Sequence, residues 1–149
     1  MREFLSTMKF DFRVHERTGR VGRLTMSLVP GPGDAGGVWI DETAFGFVEP
    51  CVTRAWPAYA NYGHWGLVKL PIDAWREFCE QLRLLRASLL AADGPDDVVG
   101  LGFLFRHLRP LFARRFGEMR QGIVAMIDEI LAWSERDCAQ VPFVAIHGI

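Results

Sequence analysis

A histidine among aromatic residues is the first candidate for chemistry in this sequence. His64 stands between a glycine and a tryptophan in the stretch YANYGHWGLVKLPIDAW, residues 59–75, and follows Tyr59 and Tyr62. Histidine can act as a general acid or base near neutral pH, and tyrosine rings can line a binding site. One interpretation is therefore a small ligand-binding or enzymatic site that uses His64, the two tyrosines and Glu49.

The same stretch is also typical of a junction between a strand and a helix. Residues 66–70 form a short apolar run, and Pro71 suits the first turn of a helix that Trp75 would anchor to the core. The aromatic rings that precede the run would then lie at an edge, where amphipathic side chains often serve binding. The junction is the interpretation that most of the stretch favours.

The histidines and cysteines lack the spacing of a metal site or of an activated nucleophile. The histidines show neither HxxxH nor HExxH, the three cysteines are far apart without a CxxC pair, and no GxSxG occurs. We therefore expect a protein without a metal, a cofactor or a catalytic residue. The residues concerned are His15, His64, His107, His147, Cys51, Cys79 and Cys138.

Three glycines formally match the dinucleotide-binding pattern GxGxxG. They are Gly31, Gly33 and Gly36. That fingerprint requires a helix directly after the loop, so that backbone N–H groups meet the pyrophosphate. Here a strand-like segment, residues 38–40, follows instead, and Pro32 removes one donor. The match is therefore interpreted as a turn-rich loop.

Acidic residues concentrate between residues 34 and 49, where Arg54 is the nearest basic residue. Trp39 places an aromatic side chain among them. Such a surface could steer a basic protein partner and dock it. A merely solvated acidic edge is the alternative, and the sequence leaves it open. The predicted partner-binding residues are Asp34, Trp39, Asp41, Glu42, Glu49, Tyr59, Tyr62 and His64.

Arginines form two basic zones, and the second, residues 106–120, is interleaved with phenylalanines. This pattern offers nucleic-acid binding as a further alternative. The phenylalanines share the phase of a helical apolar stripe, however, and the net charge of −1 lacks the usual basic excess. A solvated arginine face is therefore favoured over nucleic-acid binding. The first zone contains Arg13, Arg17, Arg20 and Arg23, and the second contains Arg106, Arg109, Arg114, Arg115 and Arg120.

The N-terminal third has the alternation of β-strands. Residues 8–14 and 24–28 alternate with period two around a turn at Thr18-Gly19, which predicts an antiparallel hairpin. Residues 38–40 predict a third short strand after the glycine-rich loop. The conformation of residues 44–48 is ambiguous, and Pro50 could open a short helix.

Helical periodicity dominates after Pro71. Apolar residues recur at three- and four-residue steps over about 71–92 and again over about 110–136, where the apolar face is wide enough for a core helix rather than a coiled coil. Residues 98–108 predict a short buried helix. The last residues, 141–149, predict a strand that returns to the sheet. The expected fold is α+β, with an antiparallel sheet packed against the two main helices and a C-terminal strand.

The composition suits one domain spanning residues 1–149. Half of the residues are hydrophobic, which allows a packed core. The longest apolar run, residues 98–105, is too short to span a membrane, and the first residues lack an apolar signal segment. The few scattered cysteines are typical of a reducing compartment. We therefore expect a cytoplasmic protein that binds no membrane; its oligomeric state cannot be predicted from the sequence.

Two parts of the sequence resemble small bacterial immunity proteins, which neutralise polymorphic toxins of contact-dependent inhibition and type VI secretion systems. One is the aromatic segment ending at Tyr62-Gly63, with the strand and helix that follow it; the other is the late helix closing on IHGI, residues 146–149. The resemblance covers about half of the chain, through core and turn residues. It implies a cytoplasmic inhibitor that binds one cognate toxin domain without catalysis, but carries over no binding residue. The acidic region would suit a nuclease toxin, whose nucleic-acid groove is basic.

Overall fold

The computed structural model describes residues 9–16, 25–33, 35–61 and 66–148. Within these ranges the strands are β1 (His15–Glu16), β2 (Thr25–Gly31), β3 (Val38–Asp41), β4 (Leu67–Pro71) and β5 (Phe143–His147). The α-helices are α1 (Glu42–Gly46), α2 (Glu49–Ala55), α3 (Ile72–Ala91), α4 (Leu108–Arg114) and α5 (Phe116–Asp137). Two 3-10 turns cover Pro57–Asn61 and Pro95–Asp97.

The strands form one antiparallel sheet in the order β1-β3-β2-β5-β4. The C-terminal strand β5 lies between β2 and β4, so it joins β4 to the rest of the sheet. This confirms the predicted α+β fold, in which an antiparallel sheet packs against two long helices and a C-terminal strand returns to it. The predicted strands at residues 38–40 and 66–70 are present as β3 and β4.

The two faces of the sheet have different surroundings. Leu28, Ile40 and Ile146 are fully buried in a core that also contains the apolar stripes of the helices. Neighbouring residues in a strand point to opposite faces, so Trp39 and His147 belong to the other face, where they are half-buried. One face of the sheet therefore packs on the core, and the other carries the half-buried rings of Trp39 and His147.

The two long helices bury the stripes that the sequence predicts. The rings of Trp75 and Trp133 meet edge to face with centroids 5.8 Å apart, which joins α3 to α5. The Trp133 indole N–H donates to the backbone carbonyl of Gly36, 2.6 Å away, in the loop between β2 and β3. No helix in the described part of the chain is long and apolar enough to cross a membrane. The buried residues are Trp75, Phe78, Cys79, Leu82, Leu85 and Leu89 in α3, and Met119, Ile123, Met126, Ile127, Ile130 and Trp133 in α5.

The predicted N-terminal hairpin is wrong. Residues 9–14 form no strand, and β1 is only two residues long. It pairs with β3 through His15 opposite Trp39, so β3 lies between β1 and β2. The predicted turn at Thr18-Gly19 lies outside the described residues.

Aromatic packing explains why residues 9–14 are not part of the sheet. The rings of Phe10 and Phe12 both contact Phe47, with centroids 5.8 and 6.0 Å from it. The backbone N–H of Val14 donates to the Glu129 carboxylate on α5, 2.7 Å away. The alternation of apolar and charged residues thus reflects packing against the helices rather than pairing with β2.

The predicted buried helix at residues 98–108 is also wrong. Residues 98–105, hereafter the strap, run without helix across α1 and α2 until α4 begins. The backbone N–H of Gly102 donates to the carbonyl of Phe47, 2.9 Å away, and a Cβ on Gly102 would lie 2.6 Å from the Pro50 ring. Gly100 has a positive φ of 93°, which glycine tolerates best. These contacts need an extended chain without side chains at both positions.

The remaining helices differ in detail from the sequence prediction. The ambiguous segment at residues 44–48 begins as α1, and Pro50 lies in the first turn of α2 as expected. The helix predicted over 110–136 is divided at Arg115, whose φ and ψ of −114° and 34° are not helical. Its main part, α5, keeps the predicted apolar face.

Candidate functional site

The acidic region is built around the end of β3 and the start of α1. Asp41 is the N-cap of α1, and its Oδ1 accepts hydrogen bonds from the backbone N–H groups of Thr43 and Ala44, at 3.0 and 3.2 Å. Glu42 follows in the first helical turn, where the helix dipole favours a carboxylate. Asp41 is therefore held by backbone hydrogen bonds where β3 passes into α1, and Glu42 lies beside it in the first turn.

Trp39 joins this region to the N-terminal segment. It is two residues before Asp41 and so points to the same face of β3. Its indole stacks on the His15 imidazole, with centroids 4.1 Å apart and ring planes 14° from parallel. The Nε2 atom of His15 lies 2.7 Å from Oδ2 of Asp11. These five residues, Asp11, His15, Trp39, Asp41 and Glu42, are called the acidic–aromatic edge below.

The carboxylates of the acidic–aromatic edge are close enough to influence one another. Burial raises the pKa of Asp41, and the negative charges of Asp11 and Glu42 raise it further, against the two N–H groups that the side chain accepts. Burial also acts to raise the pKa of Asp11, but the Arg13 backbone N–H and His15 outweigh it, so the net shift is downward. The edge therefore concentrates negative charge beside a half-buried pair of rings.

The other predicted partner-binding residues fall into two groups. Tyr59 donates a hydrogen bond from its hydroxyl to Oε2 of Glu49, at 2.5 Å, and its ring is 4% exposed, so it lies in the core. Of this pair only Glu49 is accessible to a partner. Asp34, Tyr62 and His64 lie outside the described residues, so the ligand-binding or enzymatic site around His64 stays a prediction.

Two members of the edge, Asp11 and His15, are absent from the predicted partner-binding residues. Asp11 lies in the strand predicted over residues 8–14, which was expected to pair with residues 24–28, and His15 lies directly after it. Had the pairing of β1 with β3 been known, the position of His15 opposite Trp39 would have followed directly.

Three arginines of the second basic zone contact other residues of the protein, although Arg109 does so only through a ring. Arg109 lies over the Phe103 ring, Arg115 bonds Glu118 at 2.6 Å, and Arg120 donates to the carbonyls of Leu89 and Ala92 at the end of α3, at 3.4 and 3.0 Å. Arg106 and Arg114 are exposed. Of the first zone, Arg13 lies 3.5 Å from Asp11, and Arg17, Arg20 and Arg23 lie outside the described residues. The arrangement gives no continuous arginine face along residues 106–120.

The three cysteines lie in the interior of the protein. All three are buried and free, and burial raises the pKa of Cys51 to about 11 and that of Cys138 to about 12. Burial raises the pKa of Cys79 too, although Ser134 acts in the opposite direction. A thiol needs a lowered pKa to serve as a nucleophile, so none has that property. Among the described residues no three His, Cys, Asp or Glu side chains converge as metal ligands.

Comparisons with models of known protein families, with curated proteins and with solved structures find no match for this chain.

Proposed function

We propose that this protein binds one basic protein partner through the acidic–aromatic edge and neutralises it, as an immunity protein neutralises its cognate bacterial toxin domain. The observation that carries the proposal is the cluster of Asp11, Asp41 and Glu42 beside the stack of Trp39 on His15. The resemblance noted in the sequence supports the assignment to this class of inhibitor. The inhibitor would work by occluding the toxin's active site or an adjacent exosite.

The chemistry of the edge suits a basic partner. Burial, with the nearby charges of Asp11 and Glu42, raises the pKa of Asp41, and a cation brought to this site would favour the ionised carboxylate. Such a surface also accelerates association with a positively charged protein at low salt. A toxin that acts on nucleic acid presents a basic groove and is therefore a fitting target.

The rings at the edge supply a docking point of a different kind. Tryptophan is enriched among the residues that carry most of the binding energy in protein interfaces. Trp39 is held by its stack on His15 and by its place in β3, so little side-chain freedom remains to be lost on binding. The edge thus combines a rigid aromatic side chain with surrounding charge.

The direct test uses the protein encoded beside this one. The two chains are co-expressed, purified through a tag on one of them, and the toxicity of the neighbour is scored with and without this protein. We expect a stoichiometric complex and rescue of growth. The proposal fails if the neighbour is harmless when expressed alone and no complex is recovered.

Variants then locate the interface. Trp39→Ala should weaken the complex by about 2 kcal/mol, or about thirtyfold in Kd, and Glu42→Lys should slow association, most strongly at low salt. Glu77→Lys, the same charge reversal on the exposed side of α3, serves as the control and should bind like the wild type. Thermal unfolding of each variant shows whether it is folded. A complex that survives both edge variants would place the interface elsewhere.

A further inference from the structure

A second candidate site lies in the C-terminal half of the sequence, between the strap and helix α4. The strap, the turn at Pro95–Asp97 and helix α4 enclose a cleft of about 350 Å³. This volume is at the lower end of the range of roughly 300–1,000 Å³ that small-molecule sites occupy. The lining combines apolar side chains with one cation and one carboxylate; it includes Val98, Leu101, Phe103, Phe112, Asp96 and Arg109.

Arg109 is the residue that gives the cleft its chemistry. Its guanidinium carbon lies 4.6 Å from the centre of the Phe103 ring, a cation–π arrangement. The guanidinium makes no hydrogen bond or ion pair with any residue in the described part of the chain, and the side chain is exposed. A planar guanidinium stacked on a ring keeps its N–H edges available for two parallel bonds to a carboxylate.

The cleft is formed before any ligand arrives. The backbone N–H of Val99 donates to Oγ of Ser88 on α3, at 2.9 Å, and that of Gly102 donates to the carbonyl of Phe47. The ring of Phe112 meets Phe103 edge to face, with centroids 5.8 Å apart, and so supports the ring beneath Arg109. A ligand would therefore bind without having to order the strap.

We propose that this cleft binds a monoanionic carboxylate with an apolar body, paired with Arg109 and packed on Phe103 and Phe112. An aliphatic or aromatic group could bury apolar surface against the Phe103 and Phe112 rings, which a sugar or a free inorganic anion would do less well. Asp96, the one carboxylate of the lining, disfavours phosphates and other multiply charged anions through like-charge repulsion. The site uses none of the residues of the acidic–aromatic edge, so it stands apart from the proposed function.

The test is a chemical-shift titration of the ¹⁵N-labelled protein with 3-phenylpropionate. Shifts should concentrate on the strap and on α4 and should saturate in the millimolar range. 3-Phenylpropionamide, a neutral molecule of the same shape, should bind at least tenfold more weakly, and phenyl phosphate should bind more weakly as well. Equal binding of acid and amide, or shifts confined to other parts of the chain, would overturn the proposal.

Variants test the assigned partners. Arg109→Gln should lose at least tenfold in affinity for 3-phenylpropionate, while Arg114→Gln, an exposed arginine of the same helix outside the lining, should bind like the wild type. Asp96→Asn leaves Arg109 in place and should improve binding of phenyl phosphate relative to 3-phenylpropionate. Unchanged affinity in Arg109→Gln contradicts the proposal. If Arg109→Gln does not fold, Asp96→Asn gives the second test: an unchanged ratio of the affinities for phenyl phosphate and 3-phenylpropionate would contradict the proposal.

Discussion

The imidazole of His15 lies flat on the indole of Trp39, 4.1 Å away, although 24 residues separate them in the sequence. Pairing of β1 with β3 brings the two residues opposite each other, and Asp11 holds His15 through its Nε2 atom at 2.7 Å. One long-range strand contact thus places two side chains of the N-terminal segment beside Asp41. The acidic–aromatic edge exists because of this pairing.

The two aspartates of the edge should affect acid stability with opposite signs. The pKa of Asp11 is lowered in the folded protein, so its contribution is present above its ordinary pKa of 3.8 and is lost as the pH falls. The pKa of Asp41 is raised, so its contribution is present at low pH and is lost as the pH rises through the folded value. Solvent screening keeps the effect of Asp11 small, since its side chain is 36% exposed.

This sign difference can be measured by urea unfolding between pH 3 and pH 6 in Asp11→Asn and Asp41→Asn. Asparagine also serves as an N-cap, so the second variant retains the start of α1. The free energy of unfolding of wild type minus Asp11→Asn should increase with pH, and that of wild type minus Asp41→Asn should decrease. Slopes of the same sign for both variants would show that the assigned shifts are wrong.

The fold was predictable where local periodicity decides the outcome. The stripe from Trp75 to Leu89 and the alternation of residues 38–40 each identify their element without reference to the rest of the chain. The apolar run at 98–105 does not form the predicted helix, because its glycines let the backbone approach Phe47 and Pro50. Such an approach depends on residues that are distant in the sequence. Periodicity reports which side of an element is buried, but not which element covers it.

Only the residues of the candidate site that are neighbours in the sequence could be predicted. Asp41 and Glu42 lie two and three residues after Trp39, so a surface that combines the three could be inferred from the sequence. The addition of Asp11 and His15 depends on strand order, which no local pattern encodes. Tyr59 shows the converse: this predicted partner-binding residue packs in the hydrophobic core, and its hydroxyl donates to Glu49 there.

Two glycines of α5 should respond to alanine in opposite directions. A Cβ on Gly122 would lie 2.3 Å from the Phe12 ring, whereas a Cβ on Gly117 would meet nothing within 4 Å. Alanine at 117 should therefore stabilise the protein by up to about 1 kcal/mol through helix propensity. Alanine at 122 must displace Phe12 from the aromatic cluster with Phe47 and should destabilise by about 1–3 kcal/mol.

Chemical denaturation of the single variants and of the double variant Phe12→Ala/Gly122→Ala measures these effects. If the Phe12 ring causes the loss, adding Gly122→Ala to Phe12→Ala should cost nothing further. A Gly122→Ala variant as stable as Gly117→Ala would show that Phe12 does not rest on the helix.

The contact between Trp75 and Ser134 should contribute to the joint between α3 and α5. The Trp75 indole N–H donates to the Ser134 hydroxyl at 2.8 Å, and the tryptophan is 1% exposed. Ser134→Ala should cost about 1–3 kcal/mol, because it leaves a buried donor without its acceptor. In Trp75→Phe the donor is already absent, so the same serine change should cost much less. A double-mutant cycle by urea unfolding measures the coupling, and additive losses would contradict it.

The three cysteines should resist alkylation for as long as the protein is folded. Burial raises the pKa of Cys51 from an ordinary 9.0 to about 11 despite the Arg54 guanidinium 3.3 Å from its sulfur, so at pH 8 its thiolate fraction is about a hundredfold smaller. Cys138, with a pKa of about 12, should react more slowly still. Iodoacetamide labelling at pH 8, followed by mass spectrometry, should modify all three thiols promptly in 6 M guanidinium chloride and none at a comparable rate in buffer. Rapid labelling of Cys51 in the folded protein would mean that its sulfur is open to solvent and activated by Arg54. Cys51 would then be a candidate nucleophile.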